Sequence, residues 1–163
     1  SGIVRSALDS GAFDTFYFPD GMIGAALNEN FGSELDGSFG AYPGTDSPGA
    51  AKFLEMAEAA GFDGTGPYAG ESYDAAALIM LAMEAAGSSA SADFKDHLFD
   101  VANAPGVEIY PGELAQGLVL LAAGTDIDYV GASAVELIGP GESAGSFQEV
   151  EFADGVYSTI NYR

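Results

Sequence analysis

Apolar positions at Ile3, Val4, Ala7 and Leu8 recur at helical spacing and stop before Gly11, which predicts an opening amphipathic helix closed in the left-handed conformation. Phe13 to Phe18 is dense in aromatics with little alternation, the pattern of a strand covered on both faces in a parallel sheet, and Pro19-Asp20-Gly21 ends it. Met22 to Asn30 reads as a short helix and Gly37 to Tyr42 as a second strand, stopped by Pro43-Gly44. Ser47 then caps a helix that carries Pro48 at its first position and Gly61 beyond its end. Phe53, Leu54, Ala57 and Ala60 supply its buried stripe. The rhythm so far is β-α-β-α.

Gly61 to Gly70 is turn-rich and reads as a connection between structural units. A long helix follows over Glu71 to Ala86, and its run Ala75 to Met83 is apolar nearly all round, which predicts packing on more than one side. Ala92 to Asn103 is amphipathic, with Phe94, Leu98 and Val101 inward, and Pro111 to Ala123 forms another helix closed by Gly124. Tyr129 to Ile138 and Phe147 to Phe152 are strand-like, and Ala153-Asp154-Gly155 turns the chain into a last strand, Val156 to Ile160.

Composition narrows the function. The chain has 163 residues, 48% of them hydrophobic, which is enough for a buried core and too short for two full domains. Twenty-five acidic residues against four basic ones give a net charge of -21, so phosphate backbones and anionic lipid surfaces are repelled. The acidity reads as a solvated surface before it reads as cation binding. Without cysteine there are no disulfides, zinc-thiolate sites or thiol chemistry, and the longest apolar run is far short of a membrane span. The first residues lack an initiator Met and read as the inside of a helix, so the natural start is expected upstream.

Catalytic motifs fail on context. Gly141-Glu142-Ser143-Ala144-Gly145 matches the G-x-S-x-G nucleophile elbow, but the only histidine, His97, precedes the serine and a strand follows it. Asp126 and Asp128 start like a calcium loop whose later ligand positions fall on Val130 and Leu137. No glycine loop carries a lysine for nucleotide phosphates. No catalytic residue, cofactor or metal site is therefore assigned.

Asp20 has the sharpest physical case for binding. It ends a predicted strand, ligands of open α/β sheets collect at strand carboxyl ends, and a carboxylate among Tyr17, Phe18, Pro19 and Met22 suits a ligand ammonium. The competing role is simply to make the turn before Gly21.

The series Phe16 to Gly21, Gly37 to Pro43, then Gly66-Pro67-Tyr68 and Tyr73-Asp74-Ala75-Ala76 at the head of an alanine-rich helix resembles the C-terminal half of periplasmic branched-chain amino acid binding proteins of ABC transporters. Gly106 to Gly124, Asp128 to Ser133 and the closing strand pair are similar too. The resemblance covers essentially the whole chain and lies in the order and spacing of these segments. It implies an α/β fold, the C-terminal portion of a type I periplasmic binding protein: a Venus flytrap with parallel sheets flanked by helices. Residues 1–44 would form the distal part of lobe 2, 45–145 the C-terminal helical part of lobe 1, and 146–163 a strand hairpin returning to lobe 2.

By the same resemblance the function is non-enzymatic: binding of an amino acid or related small polar molecule by closure of two lobes, in the periplasm or outside the cell, for an ABC transporter permease. A sensing receptor of the same fold is the alternative. Asp20 would hold the α-ammonium with Met22 beside it, and Tyr68 would cover the ligand or else serve only to start the long helix. Two departures stand out: nothing corresponds to the N-terminal lobe that takes the carboxylate, and Ile138-Gly139-Pro140-Gly141 replaces the usual acidic residue and glycine turn. The helices of 45–145 would pack on a sheet supplied mainly by that lobe, leaving an apolar face that a homo-oligomer could cover.

Overall fold

The computed structural model describes residues 2–139 and 141–163. Among these the chain begins with α1 (Gly2–Asp9), β1 (Tyr17–Phe18), α2 (Ala25–Phe31) and β2 (Phe39–Pro43). It continues through α3 (Pro48–Ala60), α4 (Ala69–Ala86), α5 (Ser91–Phe94), α6 (Leu98–Ala102), β3 (Val107–Ile109), α7 (Leu114–Ala122), β4 (Ile127–Tyr129), β5 (Leu137–Gly139) and β6 (Glu142–Ser143). It ends with β7 (Phe147–Ala153) and β8 (Val156–Tyr162). Two compact units result: the chain up to Thr45 together with Ser146–Arg163, and Asp46–Gly145.

The first unit is a mixed four-stranded sheet in the order β1-β2-β7-β8, with β1 and β2 parallel and the remaining pairs antiparallel. Strand periodicity sends Val150 and Phe152 to the core and Glu149 and Glu151 to the other face. Val4 of α1, Leu27 and Phe31 of α2, and Leu35 bury against Phe18, Tyr42, Val150 and Phe152. Asp154 and Gly155 both have positive φ, 53° and 81°, as a two-residue hairpin of this twist requires. The opening strand is shorter than the aromatic run predicts and is not covered on both faces. Phe18 is buried, whereas Phe13 and Tyr17 are 64% and 70% exposed, because α1 and α2 cover only one side of the sheet.

The second unit is built on α4, whose Ala77, Leu78, Leu81 and Ala82 pack with Val101 and Ala102 of α6 and with Ile109, Ile127 and Tyr129 of the parallel pair β3 and β4. These helices therefore rest on strands that the chain itself supplies. Ser47 caps α3, its hydroxyl oxygen accepting the Ala50 N–H at 3.2 Å, and Gly61 ends the helix at φ 79°. The stripe of α3 narrows to Phe53 and Ala57, since Leu54 and Ala60 lie on the exposed side. Packing of α4 is likewise one-sided, with Ile79 and Met80 about two-fifths exposed.

Three local readings give way to longer-range contacts. The helix predicted over 92–103 is two short helices joined by a 3-10 turn, although Phe94, Leu98 and Val101 keep their inward side. The strand predicted over 129–138 is split by a turn at 131–134. Ser143 sits on β6, paired with β5, and its hydroxyl donates to the Ala144 carbonyl at 2.9 Å, so no nucleophile elbow forms. Pro140 of the departure noted above lies outside the described residues.

Candidate functional site

Asp20 and Met22 share one 3-10 turn immediately past the carboxyl end of β1. The Met22 N–H donates to the Pro19 carbonyl at 3.0 Å and the Ile23 N–H to the Asp20 carbonyl at 3.1 Å. Buried Ile23 anchors the far side of this turn. A Cβ on Gly40 would come within 2.6 Å of Ile23 Cδ1 and 2.9 Å of the Phe18 carbonyl, so the missing side chain on β2 is what lets the turn lie so close. Asp20 Oδ1 accepts the Gly21 N–H at 2.6 Å, which fixes the carboxylate relative to the backbone while it remains half-buried. Such a group can act as a charge-assisted acceptor for an ammonium. Met22 beside it is 38% exposed and offers apolar contact.

Tyr68 belongs to the second unit, where it stands at the N-cap of α4 with φ 66° and ψ 7°. Left-handed backbone is uncommon for a residue with a Cβ, and here it turns the chain sharply into the helix. The Tyr68 carbonyl accepts the Ser72 N–H at 2.9 Å, and the side chain is 43% exposed. Thus Asp20 and Met22 are brought together, and Tyr68 is presented by a different unit.

In the second unit, Asp74 is a heavily bonded polar group that the sequence shows only as part of the 73–76 segment, with no role of its own. Asp74, 2% exposed on α4, accepts the Tyr129 hydroxyl at 2.8 Å, the Ala132 N–H at 2.7 Å, and both the N–H and hydroxyl of Ser133 at 2.7 and 2.6 Å. Burial first, and the Asp74 charge second, push the Tyr129 phenol well above its ordinary range. The available signal was a lone acid on the face that carries Ala77, Leu78 and Leu81 at i+3, i+4 and i+7.

A second polar cluster surrounds Lys52, which lies 2.9 Å from Glu113 Oε1 and 4.2 Å above the Tyr110 ring centre. The Lys52 ammonium, then the Tyr110 N–H, hold the Glu113 carboxyl below its usual range. Burial, then the neighbouring Glu108 and Glu136, raise that of Asp128. Among the described residues no group of three or more His, Asp or Glu is placed to hold a metal ion, and no single helix is long and apolar enough to cross a membrane.

No protein-family model and no curated protein matches the chain. The crystal structure of the leucine-binding protein LivK from Thermotoga maritima is similar, with a TM-score of 0.69 at 19% sequence identity over 98% of this chain and 40% of that one. The chain thus spans 40% of that protein's length, and its mixed α/β fold is similar to the corresponding part of that structure.

Proposed function

We propose that the chain is part of a solute-binding protein whose ligand is an amino acid or a related small molecule bearing an ammonium group. The observation that supports this reading is the half-buried Asp20 carboxylate, fixed at the carboxyl end of β1, in a fold similar over 98% of the chain to that of a leucine-binding protein. Asp20 takes the ammonium, Met22 adds apolar contact, and Tyr68 contributes aromatic cover. The protein releases its solute to an ABC transporter permease, in the periplasm or outside the cell, and performs no chemistry on it.

The test is calorimetry on the complete protein carrying this sequence, with free L-amino acids as probes, L-leucine first. Asp20→Asn keeps an oxygen to accept the Gly21 N–H and removes the charge, which separates turn-making from ligand pairing. Truncating one member of a buried charge pair costs about 2–5 kcal/mol, so affinity should fall by ~30-fold or more. A loss smaller than about threefold, under ~0.7 kcal/mol, removes Asp20 from the site.

A further inference from the structure

We infer that Asp74 is a positioning residue for Tyr68, setting the left-handed backbone from which the Tyr68 ring is presented. The inference rests on the reading above, in which Tyr68 meets the ligand. Tyr68 stands six positions before Asp74, at the head of the same helix, with φ 66°, a conformation that a residue with a Cβ keeps only where its surroundings enforce it. Two contacts join the first two turns of α4 to the end of β4 and the segment after it. One is the set of four hydrogen bonds into the Asp74 carboxylate, from Tyr129, Ala132 and Ser133. The other is close packing at Gly70, where a Cβ would stand 3.3 Å from that of Ala132, whose N–H is itself bonded to Asp74.

Beneath that segment, Gly131 (φ 63°) has no side chain to fend off the carboxylate, and a Cβ on it would run into Asp74 Oδ1. The third layer is α3, whose Gly49 approaches the Gly131 carbonyl too closely to admit a Cβ. Helix α4, the turn at 131–133 and the start of α3 therefore form one rigid knot with Asp74 at its centre. The helix end that carries Tyr68 is fixed because its second turn is bolted down.

Hydrogen exchange on the complete protein, read by mass spectrometry, tests positioning without any ligand. In Asp74→Asn the peptide over residues 66–73 should exchange about tenfold faster or more, while residues 77–86 keep their protection, since the α4 core contacts are untouched. Ser133→Ala and Tyr129→Phe, each removing a single donor, should give smaller shifts confined to the same peptide, and they serve if Asp74→Asn does not fold. Equal loss of protection along all of α4, or none at 66–73, overturns the inference in favour of a purely structural role.

Binding of L-leucine and the other free L-amino acids completes the test through coupling. Asp74→Asn should weaken affinity by about tenfold in the wild-type background and less than about twofold when Tyr68 is already Ala. Equal losses in both backgrounds show that Asp74 acts by another route and overturn the inference. Faster exchange at 66–73 with Tyr68→Ala itself leaving affinity unchanged upholds the positioning and refutes the ligand role of Tyr68.

Discussion

Replacing Gly131 by alanine should be among the most damaging single-methyl changes available to the second unit, and the damage divides into two parts. Its φ of 63° places any Cβ in left-handed backbone, at a cost of about 1–2 kcal/mol. The new Cβ would also collide with Oδ1 and fall 2.6 Å from Cγ and 2.7 Å from Oδ2 of Asp74, so the carboxylate must withdraw. Withdrawal strands the Tyr129 hydroxyl and the Ala132 N–H, and a buried group left unpaired costs about 1–3 kcal/mol. With both groups counted the sum is roughly 3–8 kcal/mol, a large share of the ~5–15 kcal/mol that holds a typical domain together. Gly124→Ala is the matched control: its φ is 73°, but a Cβ there meets nothing within 4 Å, so only the backbone cost of about 1–2 kcal/mol applies. Urea unfolding followed by far-ultraviolet circular dichroism measures both variants, since α3, α4 and α7 supply much of the helical signal. In an Asp74→Ala background the Gly131→Ala penalty should shrink toward that of Gly124→Ala, because the methyl then has room. If Gly131→Ala lies within about 1 kcal/mol of Gly124→Ala, the carboxylate contact carries no such energy and the reasoning fails.

The remaining predictions concern titration and charge. Burial pushes the Tyr42 phenol up to about 12 from an ordinary 10.0. The folded state therefore keeps its proton where the unfolded chain has lost it, and stability present below pH ~10 should fall by of order 2–3 kcal/mol by pH ~12. Tyr42→Phe should flatten that alkaline limb in pH-dependent urea melts, and an unchanged slope refutes the assignment. Glu113, held below its ordinary 4.5 by Lys52, stabilises above that value and loses its contribution as the pH falls through the folded value. Lys52→Met should remove this acid-limb contribution, at most about 1 kcal/mol because both side chains are more than a third exposed. With a net charge of -21, raising salt from ~0.01 to ~1 M shortens the screening length from ~30 to ~3 Å and should raise Tm, and a flat or falling Tm contradicts self-repulsion.

Features set by neighbours in sequence were legible; those set by distant partners were not. Ser47, Pro48 and Gly61 bounded α3 correctly because capping acts within a turn, and Asp154-Gly155 announced its hairpin for the same reason. Strand β3 went unread: Val107 to Ile109 shows no pattern of its own and exists through its parallel pairing with Ile127 to Tyr129. The strand expected over 129–138 breaks where Asp74, more than fifty positions earlier, draws the N–H groups of Ala132 and Ser133 out of extended pairing. At the candidate site, Pro19-Asp20-Gly21 located the turn that holds Asp20 and Met22, whereas the left-handed start at Tyr68 leaves no mark in its residue type. Asp74 stayed hidden because its partners come from β4 and the turn after it.

Strands β2 and β7 are neighbours in one sheet, and the Gly44 N–H donates to the Ser146 carbonyl at 3.1 Å, although about a hundred residues intervene. Joining two strands across a disordered loop of that size costs roughly 4 kcal/mol in chain entropy, a penalty that a folded insert with adjacent ends largely avoids. Order of assembly follows from this. Synthesis from the amino terminus releases Asp46–Gly145 before β7, so the inserted unit can fold while β2 still lacks a partner, and its folding then delivers β7 to that partner. A slowly folding variant of the insert should leave β2 waiting as an unpaired edge, and misassembly of the nascent protein should begin at that strand.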